Sequence, residues 1–275
     1  MTPDFSSLDR PEVLRFLFHP RADHGGPHPQ PLSEATGVPA VADALVPVEG
    51  EIVVGARFHL ADRRAASILF FHGNGEIAAD YDELAPLYNR SGLNLIAADY
   101  RGYGRSTGRP TVTARMRDSL TVFRFVRERL AAHRFNGPLI VMGRSLGSAS
   151  ALEIADTHPG EISGLIIESG FARAAPLLRL LGVDPEAVGF REGRCFQHLS
   201  KIARFEKPTL VIHAQFDQII PFSEGKALFD ACPAPHKRLL EVPGAGHNDL
   251  FLHGFEDYLA AVRNLADAAA GPPAG

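Results

Sequence analysis

The chain of 275 residues has little cysteine and no long apolar run. Its two cysteines, Cys195 and Cys232, are too few for a disulfide framework and lack a Cys-x-x-Cys spacing, so we expect reduced thiols. No stretch approaches the roughly 18 apolar residues that a membrane-spanning helix needs, which predicts no membrane span. The first ten residues carry acidic side chains without an apolar core, so we expect no signal peptide and a cytoplasmic protein.

An excess of one charge is also missing. The net charge of -4 gives no reason to expect nucleic acid or an anionic membrane as a partner. Twelve histidines are present, but none stands in a spacing such as His-Glu-x-x-His, so we expect no metal site. We therefore expect a small-molecule substrate; the sequence predicts nothing about oligomeric state.

The most informative stretch of the chain is segment 138–149. A short apolar run of strand type leads directly into Gly-Arg-Ser-Leu-Gly at 143–147, and a run of small residues typical of a packed helix follows. A serine at a sharp strand-to-helix turn is the pattern of a nucleophile elbow. The flanking glycines fit, because a Cβ atom on either would collide where strand and helix crowd together. Ser145 is the predicted nucleophile.

Apolar runs alternate with helical patterns along most of the chain. A hairpin with a glycine turn is expected over 44–60. Further strands are expected after it, at 66–71, 93–98, 138–143, 162–167, 209–214 and 239–242. Amphipathic helices are expected at 77–88, 112–130, 223–231 and 251–265. This alternation predicts an α/β fold with a mostly parallel central sheet and helices on both faces.

The predicted α/β domain covers residues 41–268. Residues 1–40 are expected to be an irregular N-terminal segment, with a short strand at 16–19 and a surface loop rich in Pro, Gly and His at 20–39. Residues 269–275 are expected to form a disordered tail.

A long insertion separates two predicted sheet strands at about 171–205. Insertions of this length are usually functional. Its leucine-rich run at 177–181 predicts a small helical cap over the strand ends, which would wall a pocket for an acyl chain.

The chain also supplies candidate partners for Ser145. A serine hydroxyl needs a base to take its proton, and the base needs a third group to orient it. Asp217 follows the strand at 209–214, and His247 follows the last strand in a glycine-rich loop. Both lie just beyond the carboxyl ends of strands, where open α/β sheets place their sites. The order along the chain is that of elbow enzymes, so we predict a Ser145–Asp217–His247 triad.

Other titratable residues compete for these roles. Glu168 ends the strand after the elbow and could serve as the acid. Asp249 is better placed to cap the following helix, and Asp99, among glycines, favours a structural turn. His72 and His213 lie in or at the ends of strands and are expected to be packing residues.

Acyl transfer further requires donors aimed at the developing oxyanion. The elbow offers the backbone N–H of Leu146, and the loop His-Gly-Asn-Gly at 72–75 offers that of Asn74. A phosphate loop is the rival interpretation of this Gly-x-Gly, but no Gly-Lys-Ser/Thr or third glycine completes it.

With these motifs in place, the chain resembles the α/β-hydrolase superfamily from about residue 44 to 268. The motifs at 72–75, 99–106, 143–147 and 246–249 are similar to those of the Bem46-like serine hydrolases, which include the ABHD17-type protein depalmitoylases and ABHD13-like enzymes. The resemblance implies the α/β-hydrolase fold and the same Ser145, Asp217 and His247 triad, with no metal or organic cofactor.

We therefore expect a serine hydrolase that cleaves carboxylic esters or thioesters through an acyl-enzyme on Ser145. The leucine-rich insertion favours short to medium acyl chains. A peptidase or amidase, or a perhydrolase, would use the same triad, and a non-catalytic ligand-binding protein would keep the fold without the chemistry. These alternatives stay open at the level of sequence.

Overall fold

Eight strands form a single sheet in the computed structural model of the protein, which describes residues 3–25 and 41–271. The strands are β1 (Val41–Glu49), β2 (Ile52–His59), β3 (Ala66–Phe71), β4 (Leu93–Ala98), β5 (Leu139–Arg144), β6 (Gly164–Glu168), β7 (Thr209–Ala214) and β8 (Lys237–Val242). Their order across the sheet is β1-β2-β4-β3-β5-β6-β7-β8. β2 pairs antiparallel with both β1 and β4, and the pairs from β4 to β8 are parallel, so the predicted mixed, mainly parallel sheet is confirmed.

Helices cover both faces of this sheet. They are α1 (Pro11–Leu17), α2 (Ala85–Arg90), α3 (Val112–Ala132), α4 (Ser148–Thr157), α5 (Ala174–Leu180), α6 (His198–Ile202), α7 (Phe222–Ala231) and α8 (Leu250–Ala270). Within the described residues, none of these helices is long and apolar enough to cross a membrane.

Strand β3 shows why the central strands are apolar without alternation. Ile68 and Phe70 pack into a core layer with residues of α2 and α8, whereas Leu69 and Phe71 pack into the opposite layer with residues of α3 and α4. All four side chains are buried. Both faces of a parallel sheet are covered by helices, so every position of such a strand has to be apolar.

The helix predicted over 77–88 is wrong as a single element. The structure has a 3-10 turn at Ala78–Tyr81 and a separate helix, α2. The Asp80 carboxylate accepts the Ile77 N–H at 3.0 Å and closes the first turn locally. A new helix then starts with Pro86 in its first turn, where the missing N–H of proline costs nothing.

Two predictions near the termini also need correction. The segment expected to be irregular, with a strand at 16–19, contains α1, whose Val13 and Leu17 are buried on one helix face. Pro11 and Glu12 favour a helix start there. The expected tail at 269–275 begins too early, since α8 runs to Ala270. Residues 272–275 of that tail and residues 26–39 of the predicted loop lie outside the described residues.

The insertion at 171–205 contains α5, a 3-10 turn at Glu192–Arg194 and α6. Leu178 of α5 is buried, and Leu177 and Leu181 pack partly buried against the core. The insertion is therefore packed onto the domain through its apolar residues.

A buried ion pair holds the turn after β4 against α3. Arg101 donates from Nε and Nη2 to the two carboxylate oxygens of Asp118, at 2.5 and 2.9 Å. Both residues are buried. The other acidic partner of Arg101 is the half-exposed Glu49, whose Oε2 accepts from Nη1 at 2.8 Å. Removal of Asp118 leaves the buried guanidinium with this partner alone, and loss of a buried partner destabilises a fold more than the pair itself stabilises it.

We therefore predict that Asp118→Ala lowers the free energy of unfolding by about 3 kcal/mol or more. Asp230→Ala is the matched control, because Asp230 pairs with Lys226 on an exposed helix surface, and its loss should cost less than about 1 kcal/mol. Urea denaturation followed by circular dichroism measures both. Equal effects of the two substitutions would contradict the role assigned to the Arg101–Asp118 pair.

Candidate functional site

Ser145 lies at the sharp turn between β5 and α4. Its φ of 51° falls in the left-handed region, which non-glycine residues rarely adopt. The flanking glycines are sterically required: a Cβ on Gly143 would lie 2.4 Å from the Gly147 carbonyl oxygen, and one on Gly147 would lie 1.9 Å from the carbonyl oxygen of Phe71. The strand and helix thus approach so closely that only glycine fits on either side of the serine.

Three predicted site residues come together at this turn. His247 Nε2 lies 3.0 Å from Ser145 Oγ. On the other side of the ring, His247 Nδ1 lies 2.7 Å from Asp217 Oδ2. All three residues are buried. A hydroxyl, an imidazole and a carboxylate therefore form one continuous line of hydrogen bonds.

The Asp217 carboxylate is fixed by its own loop. Its Oδ1 atom accepts the N–H groups of Ile219 and Ile220 at 2.9 and 2.7 Å. Burial on its own would raise the pKa of Asp217, but the hydrogen bond and charge of His247 and these two N–H groups outweigh burial, so the pKa lies below its ordinary value of 3.8. Asp217 is therefore ionised at neutral pH and acts on the ring as a negative charge.

The rival acids have other partners. Glu168 Oε1 accepts from Arg144 Nε at 3.0 Å, and its Oε2 accepts from the Tyr258 hydroxyl at 2.6 Å. Burial raises the pKa of Glu168, against the opposing effect of Arg144. Asp99 Oδ1 accepts the Ala78 N–H at 2.8 Å and lies 3.3 Å from His72 Nε2, so its carboxylate holds the start of the 3-10 turn at Ala78–Tyr81.

The remaining candidates are also engaged elsewhere. Asp249 stands at the first position before α8, yet its carboxylate accepts the Gly246 N–H at 2.6 Å rather than a helix N–H, so the expected side-chain cap is not formed. His72 Nδ1 bonds to the carbonyl of Gly73 at 2.8 Å. His213 Nε2 bonds to the carbonyl of Ile220 at 2.7 Å and so supports the loop that carries Asp217.

Arg144 is a site residue that sequence reasoning misses. Its Nη2 atom donates to the backbone carbonyl of His247 at 2.8 Å, and its Nη1 atom pairs with Glu76. Glu76 in turn accepts the Gly73 N–H at 2.7 Å. Burial would lower the pKa of Arg144, but the carboxylates of Glu76 and Glu168 outweigh it and raise the pKa. One guanidinium thus ties the loop of His247 to the loop that follows β3. Its only signal in the sequence is its place inside the elbow pentapeptide.

The N-terminal segment is a second missed component. The His19 N–H donates to the Asn74 side-chain oxygen at 2.9 Å, and the Tyr103 hydroxyl donates to the same oxygen at 2.7 Å. This contact seats Leu17 and Phe18 at the site. No local pattern in the sequence could reveal it, because it joins residues 55 positions apart.

A cavity of about 280 Å³ opens beside Ser145. Its walls come from the N-terminal segment, the start of α3, the elbow, the insertion and the His247 loop. Its apolar lining residues are Leu8, Leu17, Phe18, Val112, Leu146, Phe171, Ala174, Leu177, Leu178, Leu181, Phe196 and Ile219. Asn74 and Leu146, the predicted oxyanion-hole residues, both line it. Within residues 3–25 and 41–271, no group of His, Cys, Asp or Glu side chains is arranged to hold a metal ion.

Comparison with known proteins fits this architecture. A protein-family model described as "Serine aminopeptidase, S33" matches residues 62–187. Among curated proteins, the chain is 31% identical over 203 residues to human α/β-hydrolase domain-containing protein 17B and 32% identical over 207 residues to the mouse 17C protein. These alignments cover 72% of this chain, and 65% and 59% of the two relatives, respectively.

Solved structures share the fold at lower sequence identity. An esterase from Pyrococcus furiosus, Pf2001, superposes with a TM-score of 0.69 at 16% identity, covering 93% of this chain and 98% of that one. Est1E from Butyrivibrio proteoclasticus gives a TM-score of 0.67 at 18% identity, covering 84% and 99%.

The sheet order, the helices on both faces and the sequence relatives agree. The chain has the α/β-hydrolase fold, and over 72% of its length its sequence is similar to α/β-hydrolase domain-containing proteins of type 17.

Proposed function

We propose that the protein is a serine hydrolase that cleaves carboxylic esters or thioesters through an acyl-enzyme on Ser145. The observation that carries the proposal is the line of hydrogen bonds from Ser145 Oγ through His247 to Asp217, at 3.0 and 2.7 Å. A hydroxyl at hydrogen-bond distance from an imidazole, which is itself oriented by a carboxylate, is the arrangement that activates a serine nucleophile.

In the proposed reaction, Ser145 Oγ attacks the substrate carbonyl while His247 Nε2 takes the hydroxyl proton. Asp217 stabilises the imidazolium that forms, because its carboxylate is ionised and bonded to Nδ1. The imidazolium returns the proton to the leaving alcohol or thiol as the carbonyl–leaving-group bond breaks. A water molecule, deprotonated by His247, then attacks the acyl-enzyme and releases the carboxylic acid.

The backbone N–H groups of Leu146 and Asn74 are the proposed oxyanion donors. Each such donor supports the developing negative charge by about 3 kcal/mol. The Asn74 side chain is held by His19 and Tyr103, which leaves its backbone in a fixed loop beside the cavity. The modest cavity, walled by the leucines of the insertion, supports short to medium acyl chains as substrates.

A second candidate function is amide or peptide hydrolysis by the same three residues. The family model that matches residues 62–187 carries the description "Serine aminopeptidase, S33". This description favours peptide hydrolysis over a perhydrolase activity. The chemistry of acyl transfer is shared, so substrates rather than site residues separate the two.

We predict that Ser145→Ala lowers kcat/KM for 4-nitrophenyl butyrate by at least about 10³-fold, because the nucleophile is removed. The assay should include 4-nitrophenyl acetate and octanoate, S-phenyl thiobutyrate and alanine 4-nitroanilide. Acetate and butyrate should be cleaved faster than octanoate, and the anilide slowest.

Ser223→Ala is the matched control for this experiment, since Ser223 is an exposed serine on α7, and it should retain full activity. Wild-type turnover by Ser145→Ala would overturn the proposal. Faster cleavage of the anilide than of every ester would favour the peptidase.

We predict that Asp217→Asn lowers kcat by up to about 10⁴-fold, since the orienting negative charge is lost. It should also lower the unfolding free energy near pH 7 by about 1 kcal/mol or more. The pKa of Asp217 is lowered in the fold, so its contribution is complete above the ordinary carboxyl pKa and is lost as the pH falls through the folded value.

The stability difference between wild type and Asp217→Asn should therefore shrink below about pH 4, near the carboxyl reference value. Urea unfolding at a series of pH values measures it. A difference that stays constant from pH 7 to pH 3 would mean that the ionised carboxylate contributes nothing to the fold.

A further inference from the structure

Arg115 is a buried cation in the wall of the cavity. It stands on α3, one turn from the start of the helix and on the same face as Val112, and both residues line the cavity beside Ser145. Arg115 is 3% exposed. Its Nη2 atom donates to the backbone carbonyl of Leu146, so the guanidinium lies within reach of the elbow itself.

No carboxylate of the described residues pairs with Arg115. Among the described residues, four lysine or arginine residues are buried, and Arg115 is one of them. Each of the other three has an acidic partner. Those partners are Asp43 for Arg57, Asp118 for Arg101 and Glu153 for Lys201. A buried charge without a partner is costly. The Nε atom of Arg115 also has no hydrogen-bond partner among the described residues, although it is shielded from solvent.

The other groups near Arg115 do not supply a negative charge. Its guanidinium carbon lies 4.7 Å from the centre of the Tyr100 ring. Burial raises the pKa of Tyr100 to about 12, against the opposing effect of Arg115, so the phenol stays neutral. Burial, with the nearby charges of Lys201 and Arg115, lowers the pKa of His198 to about 3, so this ring is neutral as well.

Two other ionisable residues on the cavity wall already have acidic partners. Arg144 is paired with Glu76 and Glu168, and His247 is bonded to Asp217. The rest of the lining is mainly apolar.

The guanidinium of Arg115 is stabilised by the face of the Tyr100 ring and the Leu146 carbonyl, but no carboxylate of the described residues neutralises it. The cavity therefore combines an apolar wall with one positive charge that lacks a counter-ion, which is the chemistry that recognises an amphiphilic anion.

We propose that Arg115 is an anion-recognition residue, and that the preferred substrates carry a carboxylate in addition to the scissile ester. This inference rests on the proposed ester hydrolysis and narrows its substrate class. The carboxylate would stand on the acyl chain or on the leaving group, at a distance from the reacting carbonyl that lets it reach the guanidinium.

Two pairs of matched esters distinguish the two positions of the carboxylate. 4-Nitrophenyl hydrogen adipate against 4-nitrophenyl hexanoate tests the acyl side. The hexanoate ester of 4-hydroxybenzoate against that of 4-hydroxybenzamide tests the leaving-group side. We expect kcat/KM for the charged member of one pair to exceed that of its neutral partner by about tenfold or more, the effect of one charge-assisted hydrogen bond.

In the Arg115→Met variant, the ratio of kcat/KM for the charged ester to kcat/KM for the neutral ester should fall close to one. In Arg115→Lys this ratio should lie between one and the wild-type value. Arg124→Met is the control, because Arg124 is exposed on the same helix, and it should leave the ratio unchanged. A wild-type ratio of one or less in both pairs would overturn the inference. So would an equal loss on charged and neutral esters in Arg115→Met, which would indicate a purely structural role.

A binding measurement separates this inference from the proposed function. Monomethyl adipate should raise the melting temperature of the Ser145→Ala protein more than methyl hexanoate does, and this difference should vanish in the Ser145→Ala/Arg115→Met double variant. If the wild-type protein cleaves none of the esters, the proposed function fails. The melting temperatures then still decide whether Arg115 recognises a carboxylate.

Discussion

The close approach of β5 to α4 is the constraint on which the rest of the site depends. Ser145 adopts a left-handed backbone conformation at the sharp turn between the two elements. The packing around this turn leaves no room for a Cβ atom on Gly143 or Gly147. Such strain persists only where the surrounding structure enforces it. Here the enforcement comes from β3, whose Phe71 carbonyl lies against Gly147, and from the helix α4, whose first five residues are all buried.

A second level of organisation joins the loops around that turn. Arg144 contacts the His247 carbonyl directly and reaches the loop after β3 through Glu76. Its charge is matched by the two carboxylates of Glu76 and Glu168. Arg144, the residue before Ser145, thus positions the His247 loop and the proposed oxyanion loop relative to each other. Arg115 differs, since its charge has no such match in the described residues.

Much of this arrangement follows from local sequence patterns. The apolar central strands, the elbow pentapeptide and the order of Ser145, Asp217 and His247 are set by short-range rules: burial on both faces, glycine at a crowded turn, and polar residues beyond strand ends. The alignment of these three residues could be predicted because parallel strands bring their carboxyl ends to one edge.

The rest depends on contacts that no local pattern encodes. The segment that follows α1 is held at the cavity because the His19 N–H donates to Asn74 and Tyr103. Both partners are more than 50 residues away in the sequence. The break between the 3-10 turn at Ala78–Tyr81 and α2 has no counterpart in the apolar spacing that predicted a single helix over 77–88. Arg144 and Arg115 have ordinary places in a strand and a helix, and only the folded chain shows what surrounds them.

In the proposed function, His247 and Asp217 make Ser145 a reactive nucleophile. Covalent labelling with a fluorophosphonate probe, followed by peptide mass spectrometry, tests it most directly. We expect one phosphonate adduct, on the peptide that contains Ser145, and its loss in a His247→Ala variant that remains folded. An unlabelled wild-type protein, or equal labelling of Ser145 without His247, would contradict it.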